Sequence, residues 1–244
     1  MEINIQQTKD ELGKAAASKG ADLIRKALER KGQANIILAT GSSQFEMLSA
    51  LIEEEIDWSK ITAFHLDEYI GISINHPASF RKYLKERFVD KVSIKEFHFI
   101  DGEADPSREI GRLNALIEEH QIDVAFIGIG ENAHLAFNDP PADFETTVPY
   151  IEVELDQDCR QQQFNEGWFS SVEEVPEKAI SMSVNHILKS TAIICTVPGE
   201  RKALAVKRTF ENGVVPDVPA SALKSHELVF LFLDKDSSSS LPRQ

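Results

Sequence analysis

The sequence predicts an α/β fold, one Rossmann-like domain in three layers, with a mostly parallel central sheet and helices on both faces. Three observations point to it. Apolar positions at helical spacing alternate with short β-rich runs along most of the chain. A length of 244 residues with 42% hydrophobic content is enough to bury one sizeable core. No internal repeat or interdomain linker interrupts the alternation. The domain is expected to span residues 1–233, followed by a disordered tail, 234–244, that contains four serines in a row.

The first helix is marked by Leu12, Ala16, Leu23, Ala27 and Leu28, and a strand follows at 35–39. Thr40-Gly41-Ser42-Ser43 then opens a helix that carries Phe45, Leu48, Leu51 and Ile52 on one face. A strand at 61–66 runs into Asp67-Glu68-Tyr69, and Phe80, Tyr83, Leu84 and Phe88 mark the next helix. Strand 96–100, helix 108–119 and strand 122–127 lead to the turn Gly128-Ile129-Gly130. Further strands are expected at 150–155, 179–184, 191–197 and 228–233, with a helix at 200–211 between the last two.

Composition narrows the function classes. A formal charge of −14 and the lack of a long Lys/Arg run argue against nucleic acid and anionic lipid as partners. No apolar run approaches the roughly 20 residues of a membrane span. The amino terminus shows no secretory pattern, so a cytoplasmic location is expected. Cys159 and Cys195 form neither a CxxC pair nor a disulfide framework, and no Cys/His spacing suggests a metal. A small phosphorylated ligand remains compatible with the negative charge, because backbone N–H groups and one or two placed cations bind it locally.

In such sheets the ligand lies outside the carboxyl ends of the strands, which selects the segments after Ala39, Leu66, Ile127 and Val197. Thr40 to Ser43 offer glycine, hydroxyls and a helix start suited to phosphate oxygens, or simply an N-cap. The P-loop lysine is absent. Asp67-Glu68 at a strand end can supply a base for a proton next to a carbonyl or imine, or else two solvated charges capping a helix. In the stretch 128–140, His134 stands between Asn132 and Asp139 after a GxG turn, placed for proton transfer in ring opening. Pro198-Gly199-Glu200-Arg201-Lys202 is a fourth strand end, where Lys202 or Arg201 can provide a cation for phosphate.

These segments, in this order, resemble the glucosamine-6-phosphate deaminase family within the wider group that includes the 6-phosphogluconolactonases. The likeness covers nearly the whole chain. It rests on the PTGST-like Ala39-Thr40-Gly41-Ser42-Ser43, the MDEY-like Leu66-Asp67-Glu68-Tyr69, the GxGxDGHIAFNEP-like stretch 128–140 and the KALA run that starts at Lys202. The resemblance implies that Asp67 shuttles a proton between C2 and C1, that His134 opens the sugar ring, and that Asp139, with Asn132, assists the histidine. It places substrate against Thr40, Gly41, Ser42, Ser43, Glu68, Gly130, Ala133, Arg160 and Lys202. The implied reaction converts glucosamine 6-phosphate and water into fructose 6-phosphate and ammonia, with no metal or organic cofactor. A homo-oligomer is left open.

Three departures stand out. The family's aspartate two residues before the histidine is Asn132, and the glutamate five after it is Asp139. The arginine expected five positions beyond the DTR-like Asp158-Cys159-Arg160 is Asn165, leaving Arg160 or Gln163 to replace it. A galactosamine-6-phosphate deaminase would share all these motifs. A 6-phosphogluconolactonase would carry a DER-type strand end and a GHTASLFP-like segment, and a sugar phosphate sensor would need an attached DNA-binding unit.

Overall fold

The computed structural model describes residues 1–211 and 213–242. The chain starts with β1 (Glu2–Gln6) and the long helix α1 (Lys9–Lys31). Thr8 and Glu11 close a capping box there, with the Thr8 hydroxyl accepting from the Glu11 N–H and the Glu11 carboxylate accepting from the Thr8 N–H, each at 3.2 Å. Next come β2 (Ala34–Leu38), α2 (Phe45–Leu51), β3 (Ile61–His65), β4 (Asp67–Tyr69) and α3 (Phe80–Arg87). They are followed by β5 (Glu96–His98), α4 (Pro106–Glu118) and β6 (Val124–Ile127). The second half adds β7 (Tyr150–Glu154), α5 (Gln157–Asn165), β8 (Lys178–Met182) and α6 (Val184–Ile187). It closes with β9 (Ala192–Val197), α7 (Ala203–Glu211) and β10 (Val229–Asp234).

Seven strands form a wholly parallel sheet in the order β1-β10-β9-β6-β2-β3-β5. β2, β3, β6, β9 and β10 are buried along their whole length, so the sheet needs apolar cover on both faces. Alternation along each strand meets that need. Ile36, Leu38, Val124 and Phe126 pack with Leu12 and Ala16 of α1 and Met47 and Leu48 of α2. Ile37, Ala125 and Ile127 pack on the opposite face with Leu113 and Ile117 of α4 and Ala205 and Val206 of α7. Gly20 lets α1 approach closely, since a Cβ there would run into the Phe126 ring.

Three expectations need correcting. β1 carried no signal because it is an edge strand whose apolar residues face outward, Ile3 at 42% and Ile5 at 53% exposure. The strands expected at 150–155 and 179–184 do not join the central sheet. They form, with β4, a separate antiparallel sheet in the order β4-β8-β7. The Met182 N–H donates to the Leu66 carbonyl at 3.0 Å, which fastens this small sheet to the carboxyl edge of the large one. The tail was expected to be disordered from Asp234, yet Asp234 ends β10 and its carboxylate accepts from the Ser237 N–H at 2.7 Å. Leu241 packs on the core, so the polar run is a hydrogen-bonded turn; Arg243 and Gln244 lie outside the described residues. No helix among the described residues is long and apolar enough to cross a membrane.

Outward from β2 the chain proceeds to β3 on one side and to β6 on the other. The loops leaving the carboxyl ends of β2 and β6 therefore diverge and open a crevice between them.

Candidate active site

A cleft of about 390 Å³ occupies that crevice. All four segments picked out from the sequence line it: Thr40 to Ser43 after β2, Asp67 beyond β3, Gly130 and His134 after β6, and Gly199 to Lys202 after β9. α5 supplies a further wall through Gln162, Gln163 and Glu166.

The loop after β2 is held from behind. Tyr83 donates its hydroxyl to the Gly41 carbonyl at 3.0 Å. Gln44 accepts from the Thr196 hydroxyl at 2.9 Å and donates to the Ser43 hydroxyl at 3.1 Å. Gly41 has φ 94°, a conformation that favours glycine. Across the cleft stands Lys202, with no ion-pair partner among the described residues. Burial lowers its pKa, against the pull of the Glu166 and Glu131 carboxylates. Its turn is anchored by Asp234, whose two oxygens accept from the Gly199 N–H at 3.1 and 2.9 Å.

Asp67 begins β4, opposite Ser181 of β8. Burial, helped by the neighbouring Glu68 charge, raises its pKa to about 8. Successive strand side chains point to opposite faces, so Glu68 turns away from the cleft. It is fully buried and accepts from the N–H groups of Tyr69, Phe80 and Arg81 and from the Ser79 hydroxyl. Its carboxylate thus caps α3 and does not line the cleft, contrary to the role expected for it. No pattern in the sequence marks Ser181. Besides pairing with Asp67, its hydroxyl accepts from the Phe137 N–H at 3.0 Å and ties β4 to the histidine loop.

In that loop Ala133 and Ala136 both have positive φ, 73° and 51°. Such a conformation costs a non-glycine residue about 1–2 kcal/mol, and here it sharpens the turn on either side of His134. The imidazole lies over Gly130, where a Cβ would collide with the ring. Its Nδ1 is 2.9 Å from Asp139 Oδ1, which leaves Nε2 for a ligand. Asn132 donates its amide to the same oxygen at 2.9 Å and accepts from the His134 N–H at 3.0 Å. Burial pushes the Asp139 carboxyl up, but His134, Asn132 and the Asp156 N–H outweigh it and hold its pKa low. Asn132 and Asp139 stand behind the histidine and do not line the cleft; nor does Ala133, fully buried with its carbonyl on the Ala220 N–H.

Along α5, positions 159, 162, 163 and 166 share one face. That face carries Cys159 beneath Asp139 and then Gln162, Gln163 and Glu166 on the cleft. Arg160 lies on another face, where its guanidinium donates to the carbonyls of Val172 at 3.0 Å and Val175 at 2.9 Å. It is not part of the cleft. Among the described residues His134, Asp139 and Cys159 bring ligand atoms within 4.8 Å of one another. They could hold a soft metal only by giving up the His134–Asp139 hydrogen bond and the Cys159 proton, since burial raises that thiol pKa well above its usual value.

The fold and cleft define a three-layer α/β protein with a candidate active site at the carboxyl edge of its sheet, and its relatives place it further. The chain belongs to the family described as glucosamine-6-phosphate isomerases/6-phosphogluconolactonase, whose model matches residues 7–231. It is 37% identical to a glucosamine-6-phosphate deaminase of Lacticaseibacillus paracasei, over 100% of both chains. A solved structure of a monomeric glucosamine-6-phosphate deaminase is 32% identical, with TM-score 0.89, over 98% of this chain and 100% of the other. A 6-phosphogluconolactonase from Shewanella baltica, 18% identical with TM-score 0.79, covers 96% of this chain and 97% of its own and shares the fold.

Proposed function

We propose that the chain deaminates and isomerises glucosamine 6-phosphate, releasing fructose 6-phosphate and ammonia. The observation that carries this reading is a buried carboxylic acid of raised pKa, Asp67, in one cleft with a histidine whose Nδ1 is fixed by a carboxylate. A general base works best with a pKa near the working pH, and a tethered imidazole with a free Nε2 can relay a proton between two oxygens.

The phosphate is held by the Gly41–Ser43 loop and Lys202. His134 takes the proton of the C1 hydroxyl and returns it to the ring oxygen, which opens the pyranose. Asp67 removes the C2 proton while the C1 oxygen takes a proton from the C2 ammonium group, which gives an enolamine, and Asp67 then delivers its proton to C1. Water then adds to the resulting C2 imine, and ammonia leaves as the ketone forms. Asp139 keeps His134 oriented, and Asn132 steadies both. Each positioned proton transfer is worth roughly a hundred- to ten-thousand-fold in rate. Every group in this scheme comes from one chain, so it requires no partner subunit, and a place in the cytoplasm suits it. Incubating the purified protein with glucosamine 6-phosphate should release ammonia and fructose 6-phosphate in equal amounts. Hydrolysis of 6-phosphogluconolactone without ammonia release from the amino sugar would overturn the reading.

A further inference from the structure

α5 spans the cleft lengthwise. Its first turn meets the catalytic pair, where Cys159 lies beside Asp139 and the Asp156 N–H donates to the same carboxylate at 3.0 Å. Its last turn reaches the phosphate loop, because Glu166 Oε2 lies 4.0 Å from where a Gly41 Cβ would be. Between these ends stand Gln162 and Gln163, each only 6% exposed and each lining the cleft.

Both amides have their oxygens committed. Gln162 Oε1 accepts from the Glu131 N–H at 2.8 Å, and a backbone N–H can only donate, so the orientation of that amide is fixed. Gln163 Oε1 accepts from the hydroxyl of the buried Tyr69 at 2.7 Å. Neither Nε2 has a partner among the described residues, and neither is sealed off as a buried orphan atom. Two neutral N–H₂ donors are therefore presented to the middle of the cleft. A ligand that fills the cleft takes these donors out of reach of water, so one that supplies acceptors there is favoured over one that does not.

In the pose of the proposed function, on which this inference rests, phosphate on C6 lies at one end of α5 and C1 and C2 at the other. The atoms opposite the middle are C3 and C4. The geometry points to Gln162 and Gln163 as specificity-determining residues that donate to the C3 and C4 hydroxyl oxygens and so read the sugar's epimer. The pair does not take over the phosphate from a missing arginine. A cleft built to bond a hydroxyl rejects a ligand that places it elsewhere, because the donor is then left unpaired.

The test uses the full chain with Asp67→Asn, which removes the proton acceptor, so that binding can be read without turnover. Glucosamine 6-phosphate and its C4 epimer, galactosamine 6-phosphate, are titrated by calorimetry, with inorganic phosphate as a competitor. The Asp67→Asn chain should bind one epimer at least about tenfold more tightly. Adding Gln163→Met or Gln162→Met should each weaken the favoured epimer by about tenfold and leave competition by inorganic phosphate unchanged, and the one that faces the C4 hydroxyl should also narrow the epimer ratio. Gln162→Glu and Gln163→Glu keep the acceptor for Glu131 and Tyr69 but remove the donor, so both should weaken sugar binding and the one at C4 should lose the preference; a purely structural role would survive this exchange. An unchanged epimer ratio in all four variants, or a loss of phosphate competition equal to the loss of sugar binding in the Met variants, would overturn the assignment. Ammonia release is measured separately on the unsubstituted chain, so failure of the deaminase reading would be seen independently of the epimer ratio.

Discussion

Replacing Asp67 by asparagine should abolish turnover and at the same time stabilise the fold. In the folded chain burial and Glu68 raise the pKa of this carboxyl from 3.8 to about 8. A group whose folded pKa is raised holds its proton after the unfolded chain has lost it, and the fold becomes relatively less stable as pH rises between the two values. Each unit is worth about 1.4 kcal/mol, so at pH 7 the penalty is about 4 kcal/mol, and above pH 8 it levels off near 6. Asparagine is nearly the same shape and does not titrate. Urea denaturation of both proteins should show little gap at pH 4, a gap that widens steadily to pH 8, and a plateau beyond. Isotope exchange at C2 should vanish in the variant. The same raised value predicts that kcat/KM rises with pH toward about 8, as the base form of the free enzyme appears. A pH-independent stability gap, or a less stable Asp67→Asn, would refute the idea that the cleft holds this carboxyl against its own burial.

Lys202→Ala should raise KM by roughly ten- to a hundredfold with a smaller change in kcat, because a charge-assisted contact is worth about 1.5–3 kcal/mol; initial-rate kinetics and weaker inhibition by inorganic phosphate would show it. Asp139→Asn should cost at least a hundredfold in kcat, since it removes the charge behind His134. Asp139 has a lowered pKa, so its stabilising contribution is present at neutral pH and lost as pH falls below its ordinary value of 3.8; acid denaturation of Asp139→Asn should therefore lack part of that loss. Asn132→Asp would set a second carboxylate against Asp139 in place of the donated amide, removing one of the groups that hold the Asp139 pKa low, so acid denaturation should begin at a higher pH than in the parent chain. Both thiols are buried and their pKa values are raised, so the native protein should not react with a thiol reagent that titrates two cysteines after unfolding.

The sheet and the four cleft segments were legible because each central strand is an apolar run that stops abruptly at glycine or polar residues, as at Leu38 to Gly41 and Ile127 to Gly130. β1 and α5 were not legible, for related reasons. β1 pairs through its backbone and buries little, while α5, QDCRQQQFN, has no apolar stripe because its working face meets a polar cleft. The DTR-like resemblance points to Arg160, although the helical period that makes Gln162 and Gln163 neighbours of Cys159 excludes it. The N-cap at Asp156, which accepts from the Cys159 N–H at 2.6 Å, was the available signal for placing that helix and choosing the face. Glu68 failed as a substrate ligand for want of the same reasoning in a strand. Beside an inward Asp67, period two turns it outward.

Neutral donors on α5 also suit the electrostatics of the catalytic acid. The chain carries a formal charge of −14, and within the cleft Lys9 is paired with Glu46 at 2.7 Å and Arg201 with Glu131 at 3.4 Å. Among the described residues that line the cleft, Lys202 is the cation without an ion pair, as the proposed phosphate site requires. A guanidinium in the place of Gln163 would strengthen the hold on phosphate, but it would also be a positive charge in the same low-dielectric cleft as Asp67. An opposite charge close by favours the ionised carboxylate and would pull its pKa down from about 8. The carboxyl would then be a weaker base toward the C2 proton. Amides bind hydroxyls without this cost, because they donate without carrying charge. In the proposed pose, phosphate binding at one end of α5 and proton abstraction at the other are joined by a stretch of the cleft wall that adds no charge near Asp67.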